Sequence, residues 1–438
     1  MIKQTIKKIA KNFIAFLLRV EASLILRKYK PKIIAVTGTV GKTSAKDAIF
    51  AVLSGEFFVR RSEKSYNSEI GVPLAIIGGK SGWGSFLRWF LVLFKGLRLI
   101  LVRHDYPEWL VLEMGVDRPK DMEKLTAWIK PDAAVITMVG EVPVHIEYFE
   151  KQEDLLKEKA KLAKAVKEGG YVILNGDDES VFKIKEKTKA NTVCYGFSEG
   201  LDIVASNYHI VFREENGRSV PEGVTFKVDY RGNIVPVRLS GVFGKQAVYT
   251  ALAAFATGGV FGLNLIEMSE ILSKRYKNPP GRLKFIDGIN NSIVFDDTYN
   301  SSPVAVMAAL DLLEDIPAER KIAVLGDMME LGKYTIDEHK KIGRILKGKV
   351  DMIFTVGPRS KFSADEARAV GFKPENIFVF STADEAKAVL RDKIKEGDLI
   401  LVKGSQSMRM EKVVEEIMAR PEEKRKLLVR QEKEWLNR

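Results

Sequence analysis

From residue 32 onward, short apolar runs alternate with longer stretches in which apolar positions recur every three or four residues. Runs of that kind, closed off by glycine and polar residues, read as buried strands, and the intervening stretches read as helices that cover them. This is the pattern of an α/β chain with a largely parallel sheet. Residues 33–37, 109–113, 133–138 and 171–175 predict the first strands. Across residues 200–240, notably 209–213 and 224–229, polar and apolar positions alternate singly, which predicts a small antiparallel patch interrupting the parallel unit. An alanine-rich helix over 247–258 follows. The segment Asn278-Pro279-Pro280-Gly281 then breaks the chain before the run at 293–296. Residues 321–326, 352–356, 377–380 and 399–403 predict four further buried strands, hence a second, Rossmann-like doubly wound unit. The expected organisation is a helical arm over 1–31, a central domain with a phosphate-binding loop over 32–278 and a C-terminal domain over 279–438. The tail after Pro421 is a charge-rich stretch and reads as a solvated helix.

The arm has its own pattern. Ile2, Ile6, Ile9, Phe13, Leu17, Val20 and Leu24 fall on one stripe of a helix, with lysines on its other side. Arg19 and Glu21 interrupt the apolar positions and no small-residue cleavage site follows, so the arm is expected to be neither a cleaved signal nor a bilayer span. Residues 86–103 form a second unusual helix, in which Arg88, Lys95, Arg98 and Arg103 accompany Trp, Phe, Leu, Ile and Val. Such a helix lies on a membrane surface or covers a sheet while its cations reach solvent, and the second reading is preferred.

With 438 residues, 46% hydrophobic and 29% charged, the chain can bury more than one core. Its single cysteine, Cys194, excludes an internal disulfide framework and a multi-thiolate zinc site, and suits a reducing compartment such as the cytoplasm. The net charge of +12 suits nucleic acid, an anionic membrane surface or anionic substrates alike. Nine of these cations lie in residues 1–32 against one acid, Glu21, so part of the excess is local.

The most informative local segment is Ile33-Ile34-Ala35-Val36-Thr37-Gly38-Thr39-Val40-Gly41-Lys42-Thr43-Ser44. It is a strand, a turn with two glycines, and a helix start. Such a turn aims backbone N–H groups and a helix N-terminus at phosphates, while Lys42 adds charge and Thr43 offers a magnesium ligand. Its glycines, Gly38 and Gly41, stand closer together than in the general phosphate-binding loop. Glu113 ends a predicted parallel strand, where an acid would stand beside that loop and serve as a second magnesium ligand.

Thr37-Gly38-Thr39-Val40-Gly41-Lys42-Thr43-Ser44 resembles the loop of the Mur ligase and folylpolyglutamate synthetase superfamily. Asn67-Ser68-Glu69-Ile70-Gly71-Val72-Pro73 and Leu112-Glu113-Met114-Gly115 resemble further segments of that family. So does Val144-His145-Ile146-Glu147, whose histidine there helps to hold a second magnesium. Lys159, sixteen residues before Asn175, has the spacing of the lysine that these ligases carry as a carbamate, with Lys157, Lys161 and Lys164 as competitors. Pro280-Gly281-Arg282 and Asp296-Asp297-Thr298-Tyr299-Asn300 resemble its nucleotide-contacting segments. Leu325-Gly326-Asp327-Met328-Met329-Glu330-Leu331-Gly332 and Val402-Lys403-Gly404-Ser405 are similar to the MurF-type branch, which joins D-alanyl-D-alanine to a UDP-muramoyl-tripeptide.

The resemblance therefore implies an ATP-dependent acid–amino-acid ligase of peptidoglycan precursor synthesis that works through an acyl-phosphate. Implied catalytic residues are Lys42, His145, Lys159 and Arg282. Nucleotide contacts are implied at Gly38, Thr39, Gly41, Lys42, Thr43, Ser44, Arg282, Asp297 and Asn300, and two magnesium ions at Thr43, Glu113, His145 and carbamylated Lys159. Substrate contacts are implied at Asn67, Asp327, Met328, Glu330, Lys403 and Ser405. Expected partners are a muramoyl-peptide and D-alanyl-D-alanine rather than nucleic acid, with peripheral membrane contact through 1–31 or 86–103 as a further reading, at the inner face of the membrane.

Two departures qualify this. MurF-type enzymes begin with a UDP-binding domain, whereas only residues 1–31 precede the first strand here. In Gly244-Lys245-Gln246-Ala247-Val248-Tyr249 the family's adenine-side His and Asn are also replaced. A ligase acting on a lipid-linked or folylpolyglutamate-type acceptor, or a non-catalytic nucleotide-binding homologue, are the rival expectations.

Overall fold

The structure is a computed structural model that describes residues 2–63, 66–82, 85–215, 217–432 and 435, with side chains described from residue 11. It contains two sheets. The first has nine strands: β1 (Lys32–Thr37), β2 (Val59–Arg61), β3 (Trp109–Glu113), β4 (Ala133–Ile136), β5 (Tyr171–Asn175), β6 (Asn191–Gly196), β7 (Ile203–Glu215), β8 (Arg218–Tyr230) and β9 (Asn233–Ser240). Their order is β2-β3-β1-β4-β5-β6-β7-β8-β9. Pairing is parallel from β2 to β7 and antiparallel from β7 to β9. The antiparallel segment is thus a long ribbon that extends the sheet at its edge, not a small patch that interrupts it.

The second sheet has six strands: β10 (Lys284–Asp287), β11 (Ile293–Asp297), β12 (Lys321–Gly326), β13 (Met352–Val356), β14 (Ile377–Phe380) and β15 (Leu399–Lys403). Their order is β10-β11-β15-β12-β13-β14, with only β10 antiparallel. Because both faces of the parallel strands are covered, β3, β13 and β15 are buried at every position, which is why they read as unbroken apolar runs.

Helix α1 (Ile2–Tyr29) is not a detached arm. Leu18, Ala22 and Ile25 are fully buried beneath it, in one cluster with Ile33, Ala35 and Leu110 of the first sheet. α2 (Lys42–Leu53) covers the opposite face of that sheet. α3 (Gly71–Ile77) and α4 (Phe86–Leu101) lie beside α1, and α5 (Asp121–Thr126) and α6 (Gln152–Lys164) complete that layer. The stripe read from the sequence does not meet the sheet: Phe13, Val20 and Leu24 are exposed, and the side chains of Ile2, Ile6 and Ile9 lie outside the described ones. The helix carries two apolar faces about 150° apart, and only one meets the sheet.

The C-terminal tail also differs from expectation. Instead of a solvated helix it forms a single helical turn, Lys424–Leu427, and folds back. Arg430 is buried, donating to the carbonyls of Thr298 at 2.5 Å and Tyr299 at 3.2 Å and pairing with Glu411 Oε2 at 2.7 Å.

Candidate active site

The loop between β1 and α2 is held in shape by the chain that leaves β4. The amides of Thr39 and Val40 both donate to the carbonyl of Met138, at 2.8 and 3.0 Å. Thr137 Oγ1 donates back to the carbonyl of Val40 at 2.7 Å. Gly38 is required here: its φ is +146°, and a Cβ would stand 2.0 Å from Thr137 Oγ1. The loop ends at Lys42, whose ammonium donates to the carbonyl of Thr39 at 3.2 Å. Burial pushes the Lys42 amine below its usual range, with Glu113 opposing that shift.

Two side chains from distant parts of the sequence meet at Thr43, and a third joins them through Glu113. Its hydroxyl donates to Glu113 Oε2 at 2.9 Å, and Arg282 Nη2 donates to Thr43 Oγ1 at 3.1 Å. Asn67 Nδ2 reaches the other oxygen, Glu113 Oε1, at 3.2 Å. The guanidinium of Arg282 also lies over the ring of Tyr299, 4.2 Å from its centroid. These contacts place a cation from the start of the second domain on the phosphate-binding loop of the first.

Lys159 reaches the same loop from α6. It is 2% exposed and donates to the carbonyl of Gly38 at 3.0 Å. Burial, reinforced by the charge of Lys42, holds its amine well below the usual lysine range. Two competitors point away: Lys157 pairs with Asp154, and Lys161 with Glu123 and Glu158.

His145 has a left-handed backbone, φ +72°. Its Nε2 lies 3.3 Å from Asp117 Oδ1, and its Nδ1 lies 2.6 Å from Glu330 Oε2 of the second domain. The contact with His145 lowers the Glu330 carboxyl from its usual range. A second bridge, besides the Arg282–Thr43 contact, therefore joins the two halves.

Thr39, Gly41 and Ser44 line a cleft with Arg282, Asp297, Asn300 and Lys403. Lys403 is nearly fully buried there; its ammonium pairs with Asp297 Oδ2 at 2.6 Å and donates to the carbonyl of Asn300 at 3.0 Å. Asp297 Oδ1 accepts from the amide of Leu283 at 3.2 Å. The remaining expected substrate contacts sit deeper. Asp327 accepts the amides of Arg359 and Ser360, Met328 is buried with its amide donating to His339 Nε2, and Ser405 accepts the amide of Met329. Of the expected substrate contacts after residue 300, only Lys403 and Glu330 reach the space between the domains.

Sequence reasoning passed over Lys46, Asp117 and Tyr299. Lys46 is 1% exposed, donates to the carbonyl of Ser62 at 2.8 Å and lies 4.0 Å from Glu113 Oε2. Its spacing of four from Lys42 put it on the same helix face, and that periodicity was the available signal.

Residues 96–258 match the Mur ligase middle domain, and residues 281–406 match the glutamate ligase domain of Mur ligases. The chain carries the Mur ligase middle and C-terminal domains. A UDP-N-acetylmuramoyl-tripeptide–D-alanyl-D-alanine ligase of Bacillus subtilis is 28% identical over 404 residues, covering 91% of this chain and 79% of the relative. The structure of the MurF ligase of Thermotoga maritima in complex with ADP aligns with a TM-score of 0.74 at 25% identity, covering 94% of this chain and 84% of that one. A folylpolyglutamate synthase of Mycobacterium tuberculosis shares the fold, with a TM-score of 0.62 at 14% identity. The phosphate-binding loop, α1 and the first part of α4 precede the residues matched to the Mur ligase domains.

Proposed function

We propose that this chain is an ATP-dependent ligase that joins the amine of D-alanyl-D-alanine, or a similar amino acid or dipeptide, to the terminal carboxylate of a muramoyl-peptide. The observation that carries this reading is the chain of contacts from Arg282 through Thr43 to Glu113, which closes a second domain onto a phosphate-binding loop. Joining a carboxylate to an amine in water is uphill, so the carboxylate must first be activated. An acceptor oxygen attacks the γ-phosphorus, the bond to the β–γ bridging oxygen breaks, and ADP leaves an acyl-phosphate. The amine then attacks the acyl carbon, loses a proton, and phosphate departs.

Each residue serves the charge that this chemistry gathers. Lys42 and the planar fork of Arg282 would lie against phosphate oxygens, and preorganised charge of this kind dominates phosphoryl transfer. The donor set suits a hard cation: Thr43 and Glu113 present oxygens 2.9 Å apart, and Thr39 Oγ1 of the same loop is buried without a partner. Magnesium held by Thr43 and Glu113, and a second ion held by His145 and a carbamylated Lys159, would neutralise the oxygens of the transferred phosphoryl group. Lys159 suits carbamylation because burial favours its neutral amine, the form that adds to carbon dioxide. Asn67 orients Glu113, Lys403 fixes Asp297 and Asn300 along the nucleotide side of the cleft, and Glu330 positions His145. Closure of the two domains keeps water from the acyl-phosphate.

The test supplies ATP, magnesium, UDP-muramoyl-tripeptide and D-alanyl-D-alanine, and follows phosphate release together with product mass. Stoichiometric phosphate and dipeptide addition are expected, with both abolished in Lys42→Ala. Turnover on a lipid-linked acceptor, with none on the UDP-linked one, would overturn the choice of acceptor.

A further inference from the structure

Eleven of the twenty exposed large apolar side chains among the described residues lie on two adjacent helices, four on α1 and seven on α4. On α4, Leu87, Phe90, Leu91, Phe94, Leu97 and Leu101 are 46–72% exposed and fall within one arc of the helix. The opposite arc, Val92, Gly96 and Leu99, is buried. On α1, Phe13, Phe16, Val20 and Leu24 form a second exposed stripe at 40–61%. Monomeric soluble proteins rarely leave so contiguous an apolar surface without a use for it.

The two helices are fixed side by side. Lys28 donates to the carbonyls of Leu99, Ile100 and Val102 at the C-terminal end of α4, and Tyr29 adds a hydroxyl to Leu99 at 3.0 Å. Those carbonyls would otherwise lack partners, so α1 caps α4. Where the helices cross, Gly96 lets the carboxylate of Glu21 approach: a Cβ there would lie 2.0 Å from Glu21 Oε2.

The exposed charges that the described parts of the two helices carry have one sign. α4 contains no acid, and the only acid on α1 is Glu21, whose Oε2 is buried against Gly96. Lys11, Arg19, Arg27, Arg88, Arg98 and Arg103 are all exposed. A second copy of the chain docking by the same face would bring like charges together, which opposes self-association. An anionic bilayer surface complements both features, taking the apolar arc at the acyl boundary and the cations at its headgroups. Among the described residues no helix is long and apolar enough to cross a membrane, so the contact is with one leaflet.

We propose that the exposed faces of α1 and α4 dock the protein onto anionic lipid bilayers. The N-terminal part of α1 also walls a pocket in which Lys11, Asn12 and Ala15 face Asn67, Ser68 and Asp117. Docking therefore holds this pocket, which Asn67 and Asp117 of the candidate site line, close to the lipid surface.

The full chain, incubated with phosphatidylglycerol vesicles or with phosphatidylcholine vesicles and sedimented, tests this. It should pellet with the first, much less with the second, and lose at least about tenfold of its binding when salt rises from 0.05 to about 0.5 M. Phe90→Asp with Phe94→Asp, and separately Arg88→Glu with Arg98→Glu, should each weaken binding at least about tenfold. Circular dichroism and solution ATP turnover should stay unchanged, because these residues touch neither core nor site. No binding of the parent to anionic vesicles, or binding by both double variants as strong as the parent's, overturns the proposal. So does a concentration-dependent dimer in light scattering that the Phe90→Asp/Phe94→Asp variant abolishes, since the face would then be a protein contact.

Discussion

Arg282 Nη2 donates to Thr43 Oγ1 at 3.1 Å, although 239 residues separate the two. The hydroxyl it meets is already donating to Glu113, so one oxygen joins the end of a parallel strand, the start of a helix and the entry to the second domain. The stack on Tyr299 fixes the plane of the guanidinium.

Arg282→Lys keeps the charge but loses both the fork and the stack. We expect kcat for phosphate release to fall by about 10- to 100-fold, or about 1.4–2.8 kcal/mol of transition-state stabilisation, with a smaller change in KM. Steady-state kinetics at saturating ATP measures it; an unchanged kcat would remove Arg282 from the phosphate site.

Lys159 should make turnover depend on carbon dioxide. In buffer purged of bicarbonate the activity should fall, and added bicarbonate should restore it, whereas Lys159→Ala should be inactive under both conditions and partly rescued by short carboxylic acids. Native mass spectrometry of the purged and restored enzyme provides a readout independent of activity.

Asp296 is fully buried, and burial raises its carboxyl to about 6, although Thr298 donates to it twice. A carboxyl raised on folding binds a proton more readily in the native state, so between about pH 4 and 6 stability falls as pH rises. Asp296→Asn removes that cost: it should be more stable than the parent at pH 8 by up to about 3 kcal/mol, with little difference near pH 4. Urea unfolding at the two pH values decides it, and a variant that is less stable at pH 8 would contradict it.

Arg430→Ala should leave Glu411 buried with, among the described residues, only Arg409 as an ion partner, and strip the carbonyls of Thr298 and Tyr299 of this donor. A loss of about 3–5 kcal/mol is expected in thermal or urea unfolding. A loss below about 0.5 kcal/mol would mean that the tail contributes nothing by packing here.

What could be read in advance followed from range. The strand–turn–helix at 33–44 was legible because Gly38, Gly41 and Lys42 act within a few residues of one another, and the buried strands were legible because parallel strands covered on both faces need unbroken apolar runs. The long ribbon β7–β9 was misjudged in extent, since single alternation marks a half-exposed strand but not where it joins a sheet. Lys159 and Lys46 look like solvated charges in sequence; only tertiary packing puts their ammonium groups beside Gly38 and Ser62. Arg430 was hidden in the same way, by a charge-rich tail whose partner Glu411 lies in another helix. On α1 the more regular apolar stripe faces solvent and a second one packs, because periodicity identifies an apolar face without saying what covers it.

The His145–Glu330 and Arg282–Thr43 contacts both span the gap between the two halves of the molecule. A small compound lodged between these pairs would act as a wedge. It would hold the halves apart and take the ground that the phosphates need, so raising ATP should displace it while raising either peptide should not.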